Sequence, residues 1–348
     1  MDNDQPIIAS RKPFYKELKA GQRVLWCSCG RSKRQPFCDG RSHVGTGFEP
    51  VQYQAQQDEE VLFCGCKHTC TAPFCDGAHS NLPGGYGSFT PDTISELLLV
   101  ESDEAGFARL DGECYVVTPQ ISDDLDYALT TLVSPALGAR HQAQFHMRLA
   151  AGKSPVLTSD AGDVVLWVRV GQGKVVIGGR SFACDADTGV SIRKGETFQI
   201  ECTGAALDVY VSVCPGTDSL DVREAMADAF DEDWPVRTVA IDQDGRQAMG
   251  PRWFQTLVDE RHGLRNTAQF VGHIPLSHAE MHRHLYEEAL IILSGRGKIW
   301  NETRQAHVKA GDVIFFPRKH VHSLQCVAQE GMDVVGLIHP GTNPGINY

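Results

Sequence analysis

No apolar run in this chain approaches the roughly 20 residues that a membrane-spanning helix needs; the longest, around 164–170 and 289–293, are strand-sized. An excess of basic residues is missing as well. Lys and Arg together number 32 against 44 Asp and Glu, for a net charge of −12, which excludes nonspecific binding to nucleic acid or to an anionic membrane. The first residues, Met1-Asp2-Asn3-Asp4, lack the cationic start and apolar core of a signal peptide. A cytoplasmic location is therefore expected. At 348 residues the chain exceeds one typical domain, so two or three are expected.

Cysteine is plentiful and unevenly spread. Of twelve, seven lie between Cys27 and Cys75. In a reducing compartment such residues read first as metal ligands or free thiols. They form a repeat: W-C-S-C-G-R-S-K-R-Q-P-F-C-D-G-R-S-H from Trp26 to His43, and F-C-G-C-K-H-T-C-T-A-P-F-C-D-G-A-H from Phe63 to His79. Each copy offers three cysteines and a terminal histidine. That donor set closes a tetrahedral zinc site or holds a [2Fe–2S] cluster, and spacing alone does not choose.

Both copies resemble the CDGSH iron–sulfur family, whose pattern is C-x-C, two residues, S/T, three residues, P-x-C-D-G-S/A/T-H. The second copy matches throughout, at Cys64, Cys66, Thr69, Pro73, Cys75, Asp76, Gly77, Ala78 and His79. The first matches through Gly40 and then carries an extra residue, Arg41, before Ser42 and His43. The resemblance implies a tandem-repeat region with two [2Fe–2S] clusters. Cys27, Cys29, Cys38 and His43 would hold one, and Cys64, Cys66, Cys75 and His79 the other. Cys70 and His68 fall at no ligand position. The turn formers of 81–88 mark the end of this region, expected at 1–90.

A second constellation lies near the other end. His282 and His284 are one residue apart in β-rich sequence, so on a strand they share a face, and Glu288 lies a further even step along. His322 follows the apolar run Val313 to Phe316 and Pro317. Three imidazoles and a carboxylate suit iron, manganese, nickel, zinc or copper. These residues resemble the cupin family, whose first motif appears as His282, His284, Glu288 and Gly295, and whose second appears as Gly311, Pro317 and His322. Lys319 stands where the second motif usually has glycine, and Cys326 where it often has asparagine. The resemblance implies a small β-barrel with one metal ion in its mouth, Fe(II) being the expected ion and Mn, Ni, Zn or Cu the alternatives.

The strands at 164–170 and 174–177, with the intervening Gly171-Gln172-Gly173, echo that barrel. Aligning Gly171 on Gly295 puts Thr158, Asp160 and Val164 at the ligand positions, so this unit resembles a cupin without a metal site. His141 and His146 read as ordinary polar residues. The fold expected is mainly β: a small CDGSH-type domain at 1–90, a degenerate cupin (double-stranded β-helix, or jelly-roll) barrel at 91–220 and a metal-binding barrel at 221–348. Helical character is expected at 123–132. An acidic amphipathic helix over 221–232, with Val222, Met226 and Phe230 on one face, is expected to link the barrels.

Candidate pocket residues are Gln269, His273, Tyr286, Trp300 and His320. Tyr286, in phase with the ligand histidines, and His320, two before His322, are the candidate catalytic groups. Many oxygen-activating reactions need electrons that the substrate does not supply, and a histidine-ligated cluster is a one-electron carrier. The function expected is thus an iron-dependent cupin oxygenase acting on a small organic substrate and O2, with the clusters passing electrons to the metal. An external reductase or ferredoxin is a candidate partner and a homodimer a candidate assembly. The alternatives are a cupin dioxygenase, isomerase or lyase with structural or regulatory clusters, and a non-catalytic redox sensor.

Overall fold

The computed structural model describes residues 5–82, 94, 96–120 and 125–348. The N-terminal region holds two short antiparallel ribbons. Phe14–Leu18 pairs with Glu59–Phe63, and Arg23–Trp26 pairs with Val51–Gln54. The strands Arg23–Trp26 and Glu59–Phe63 each run straight into a C-x-C segment, at Cys27 and Cys64. A core of Leu18, Trp26 and Phe63 lies between the two copies. The Trp26 indole N–H, from the first copy, donates to the Cys64 carbonyl of the second at 3.0 Å. The copies are therefore packed as one unit.

The rest is two β-barrels back to back. In the strand Asp163–Val170 nearly every side chain is buried, because its two faces serve different cores. Val164, Leu166 and Val168 point into the first barrel, whereas Val165 and Trp167 join a layer shared with the second. Glu287–Ile292 does the same from the other side: Leu290 and Ile292 face the second barrel, and Ala289 and Ile291 face the shared layer. Each fully buried aliphatic or Phe side chain contributes roughly 1.5–3 kcal/mol. The layer is therefore a large apolar contribution to holding the barrels together, beside hydrogen bonds such as those of Glu287 with the N–H groups of Arg140, His141 and Gln142.

The sheets cross the division expected at 220/221. Tyr115–Val117, with Phe107–Arg109 beside it, pairs with Val313–Phe316 in the C-terminal barrel, and Leu98–Leu99 pairs with Arg304–Lys309. In return Thr238–Ala240 pairs with Thr188–Ile192 in the first barrel. Two helical expectations are corrected. The segment at 123–132 is instead the strand Tyr127–Val133 where it is described, its Thr-Thr-Leu-Val run suiting a pleated surface and pairing with Ala143–Lys153. At 221–232 the chain forms only the short strand Asp221–Arg223, which pairs with Val156–Thr158. Tertiary contacts override the amphipathic pattern there: Phe230 stacks on Phe182 at 5.9 Å, and the Ala227 N–H donates to Thr197 Oγ1 at 2.9 Å. No helix of the described residues is long and apolar enough to cross a membrane.

Candidate functional site

In each N-terminal copy the ligand candidates come together as two close pairs. Sγ of Cys27 and Cys29 are 3.6 Å apart, and Cys38 Sγ is 3.4 Å from His43 Nδ1. In the second copy Cys64 and Cys66 are 3.5 Å apart and Cys75 Sγ is 3.4 Å from His79 Nδ1. The extra Arg41 thus leaves His43 as close to its cysteine as His79 is to its own. Among the described residues no three His, Cys, Asp or Glu side chains converge tightly enough to form a finished metal site, in these copies or at the barrel mouth, so the fit of each donor set rests on which atoms face one another. A two-iron cluster draws two protein ligands to each iron, whereas zinc draws all four to one centre. Paired donors fit the cluster.

Local hydrogen bonds build both loops alike. Ser32 Oγ donates to the Phe37 carbonyl at 2.6 Å and Thr69 Oγ1 to that of Phe74 at 2.7 Å. Asp39 accepts from the Ser42 N–H at 2.9 Å, and Asp76 from that of Ala78 at 3.0 Å, so the Asp-Gly pair shapes the turn that brings the histidine back. The Lys67 N–H lies 3.2 Å from Cys64 Sγ. A hydrogen bond from the Cys66 thiol pulls the Cys64 thiol down to about 6, towards the thiolate that binds metal. The copies differ in setting. His79 is buried, while Cys38 and His43 are partly exposed.

At the barrel mouth, His282 and His322 hold each other by reciprocal backbone hydrogen bonds of 3.0 and 2.9 Å. His282 makes only this isolated bridge and regular strand begins at Glu287, so the histidines do not lie on one continuous strand with Glu288 as expected. Their rings converge regardless. Centroids of His282 and His284 lie 4.5 and 5.0 Å from that of His322. All three Nδ1 atoms face backbone carbonyls: Glu280 at 2.8 Å, Tyr286 at 2.7 Å and His320 at 2.9 Å. A carbonyl only accepts, so Nδ1 carries the proton and Nε2 offers its lone pair. Burial pushes His282 down to about 3 and His322 well below its ordinary value, which keeps both neutral.

His284 Nε2 supplies the test of fit. It is buried, has no hydrogen-bond partner among the described residues, and lies 3.2 Å from Glu288 Oε2. A bare ring nitrogen facing a carboxylate oxygen is repulsive, and an unsatisfied buried polar atom costs about 1–3 kcal/mol. A cation between the two atoms removes both penalties. His282, His284, Glu288 and His322 therefore suit a mononuclear metal.

These four side chains open on a cavity of about 170 Å³ with a largely apolar wall, including Phe254, Phe270 and Phe316. His79 lines the same cavity. The candidate ligand of the second cluster and those of the barrel metal thus line one cavity. Arg252, nearly buried, also lines it. The stretch Arg252-Trp253-Phe254, which leads into the metal strand in the sequence, does reach the barrel mouth; nothing local marked the approach of His79, because that contact joins segments far apart in the chain.

The other candidates separate. Tyr286 lines the cavity, stacks on His284 at 4.0 Å and donates its hydroxyl to the Pro344 carbonyl at 2.7 Å. That arrangement buttresses a ligand ring. His273 also lines the cavity, with Nδ1 2.8 Å from Asp333 Oδ1. Gln269 reaches instead into the layer between the barrels, donating to the Leu166 carbonyl at 3.3 Å. Trp300 and His320 lie outside the cavity wall, His320 against Gly112.

Residues 274–337 match the family model described as "Cupin domain". The N-terminal region is 48% identical over 58 residues to mouse CDGSH iron–sulfur domain-containing protein 3, mitochondrial, covering 16% of this chain and 42% of that protein. The human protein of the same name is 49% identical over 53 residues, 15% of this chain and 41% of the other. The chain joins CDGSH-type iron–sulfur motifs to a cupin. It spans about two-fifths of the length of those curated relatives. Among solved structures, protein Ylba from E. coli superposes with a TM-score of 0.50 at 14% identity, over 72% of this chain and 97% of its own. AerE from Microcystis aeruginosa gives a TM-score of 0.50 at 13% identity, over 66% and 99%. Those likenesses concern the fold, and they extend it over both barrels of this CDGSH–cupin chain.

Proposed function

We propose that this CDGSH–cupin chain is a non-haem iron oxygenase that acts on a small, largely apolar organic substrate and receives electrons through its own N-terminal clusters. The observation that carries the reading is the position of His79 in the wall of the cavity onto which His282, His284, Glu288 and His322 open. When bound, Fe(II) would supply dioxygen activation at that barrel site, and the [2Fe–2S] clusters one-electron transfer at the raised potential that histidine ligation brings.

The chain's own residues divide the work. The three carbonyl-anchored imidazoles present Nε2 without needing to lose a proton, so ligation is preorganised. The apolar part of the wall suits a hydrocarbon portion of the substrate, and Arg252, with Arg11 and Lys12, adds positive charge to it. The partly exposed Cys38–His43 end of the first copy is the accessible side for an external reductase or ferredoxin, and the buried second copy is the side towards the barrel.

Single turnover tests the reading. With clusters reduced, O2 and candidate small apolar substrates are added and cluster absorbance is followed together with product. Bleaching that keeps step with product is expected. Product formed with the clusters still reduced would move the chain to the class of cupin dioxygenases, isomerases or lyases.

A further inference from the structure

Lys319 departs from the residue usual at its position, and it does so with φ of 65°, in the left-handed region that favours glycine. The backbone tolerates a lysine there while the side chain leaves the barrel altogether. Its ammonium hydrogen-bonds Glu60 of the N-terminal region and lies 3.3 Å from the Tyr15 hydroxyl. The neighbouring Arg318 donates to the other Glu60 oxygen at 3.2 Å and to the Leu285 carbonyl at 2.5 Å. Both ends of this cluster lead to ligands. The Lys319 N–H donates to the His284 carbonyl at 2.8 Å, and His322 follows three residues later. Glu60 sits on the strand Glu59–Phe63, which runs directly into Cys64.

We propose that Glu60, Arg318 and Lys319 form an inter-domain positioning clamp: docking of the cluster region sets the turn that carries His322, and so sets the metal affinity of the barrel. This rests on the reading of His282, His284, Glu288 and His322 as metal ligands. The three side chains are only about one-third exposed or thereabouts, at 27%, 33% and 40%, so an ordinary ion pair here would contribute little to stability. The clamp acts on ligand geometry instead. Because coupling between two sites is reciprocal, a barrel loaded with metal also holds Glu60, and with it the strand leading to Cys64, more firmly.

The test uses the full chain with its clusters assembled, and Mn(II) as the probe, its free concentration followed by electron paramagnetic resonance. Lys319→Gly relieves the backbone while removing the lysine arm of the clamp, the Arg318–Glu60 pair remaining, so stability and affinity move apart. Its Mn(II) affinity should fall on the order of 10-fold, with the thermal midpoint no lower than wild type and cluster absorbance unchanged. Glu60→Gln should show a similar loss. The double variant should be no weaker than the weaker single one, since both act through one contact, and Lys319→Arg should recover most of the affinity. Wild-type Mn(II) binding by Lys319→Gly, or losses that multiply in the double variant, would overturn the clamp. A wild-type chain that takes up no Mn(II) gives a different result: it overturns the metal reading of the four side chains, and the clamp with it.

Discussion

The two CDGSH copies carry the same ligands and sit in different places. Each pairs its two leading cysteines and its third cysteine with a histidine at nearly equal distances, 3.6 and 3.4 Å in the first copy and 3.5 and 3.4 Å in the second. Yet His79 is buried in the wall of the barrel cavity, whereas His43 is partly open to solvent. After the second cysteine of each pair the first copy has Gly30 and the second has Lys67, both at positive φ. Gly30 is dictated by space, since a Cβ there would stand 1.7 Å from the Ile7 carbonyl oxygen. Lys67 is buried, with its ammonium 4.7 Å from the Trp26 ring and 2.9 Å from the Cys64 carbonyl. Duplication supplied two equal ligand sets, and packing gave them unequal neighbours.

The largest expected effect concerns what the copies share. Trp26→Ala deletes a buried indole between them and should cost about 3–5 kcal/mol. Both clusters should then yield iron to a chelator faster. Release from one copy alone would mean that the copies are independent.

Next comes their inequality. His79→Ala removes a candidate ligand of the second cluster, so substrate-dependent cluster oxidation by O2 should slow by at least about 100-fold, the upper range for losing even an outer partner of a metal ligand. His43→Ala should slow only the re-reduction of the protein. Stopped-flow absorbance distinguishes the two, and equal defects would erase the distinction between inner and outer copies.

Lys67 tests whether one charge serves both sets. Its ammonium acts on Cys27 and Cys29 as well as on Cys64 and Cys66. Lys67→Met should lower both midpoint potentials, by roughly 60 mV, a tenfold change in a one-electron equilibrium. Spectroelectrochemistry reads this directly. A shift in one cluster alone would assign the charge to that copy.

The smallest effect is an order of acid sensitivity. A metal is lost when a proton takes the nitrogen that binds it. Burial holds His79 below the usual histidine range, so that proton arrives only at lower pH. Because solvent reaches His43 and not the buried His79, the first copy should bleach before the second on acidification. Mixed loss in one phase, followed in His43→Cys and His79→Cys backgrounds, would contradict this.

Much of this molecule was legible in its residues. The two copies, the H-x-H segment with Glu288 and His322, and the strands at 164–170 and 289–293 follow from donor chemistry and from runs of β-branched residues, which are local properties. The misreadings share one cause. The apolar residues at 221–232 fit a helical face, but Phe182 and Thr197 claim Phe230 and Ala227 from outside the segment. The division at 220/221 followed the change of local pattern, while Tyr115–Val117 crosses over to complete the sheet of the distant barrel. Lys319 looked like a deviation within its motif because its partner, Glu60, lies at the other end of the chain.

By itself the sequence determined which atoms can bind metal, since ligand type and short-range spacing are set by covalent neighbours. Only the tertiary structure decided that His79 shares a cavity with the barrel ligands and that Glu60 reaches the turn before His322. Contacts of that separation depend on how whole sheets pack, and no local pattern encodes them.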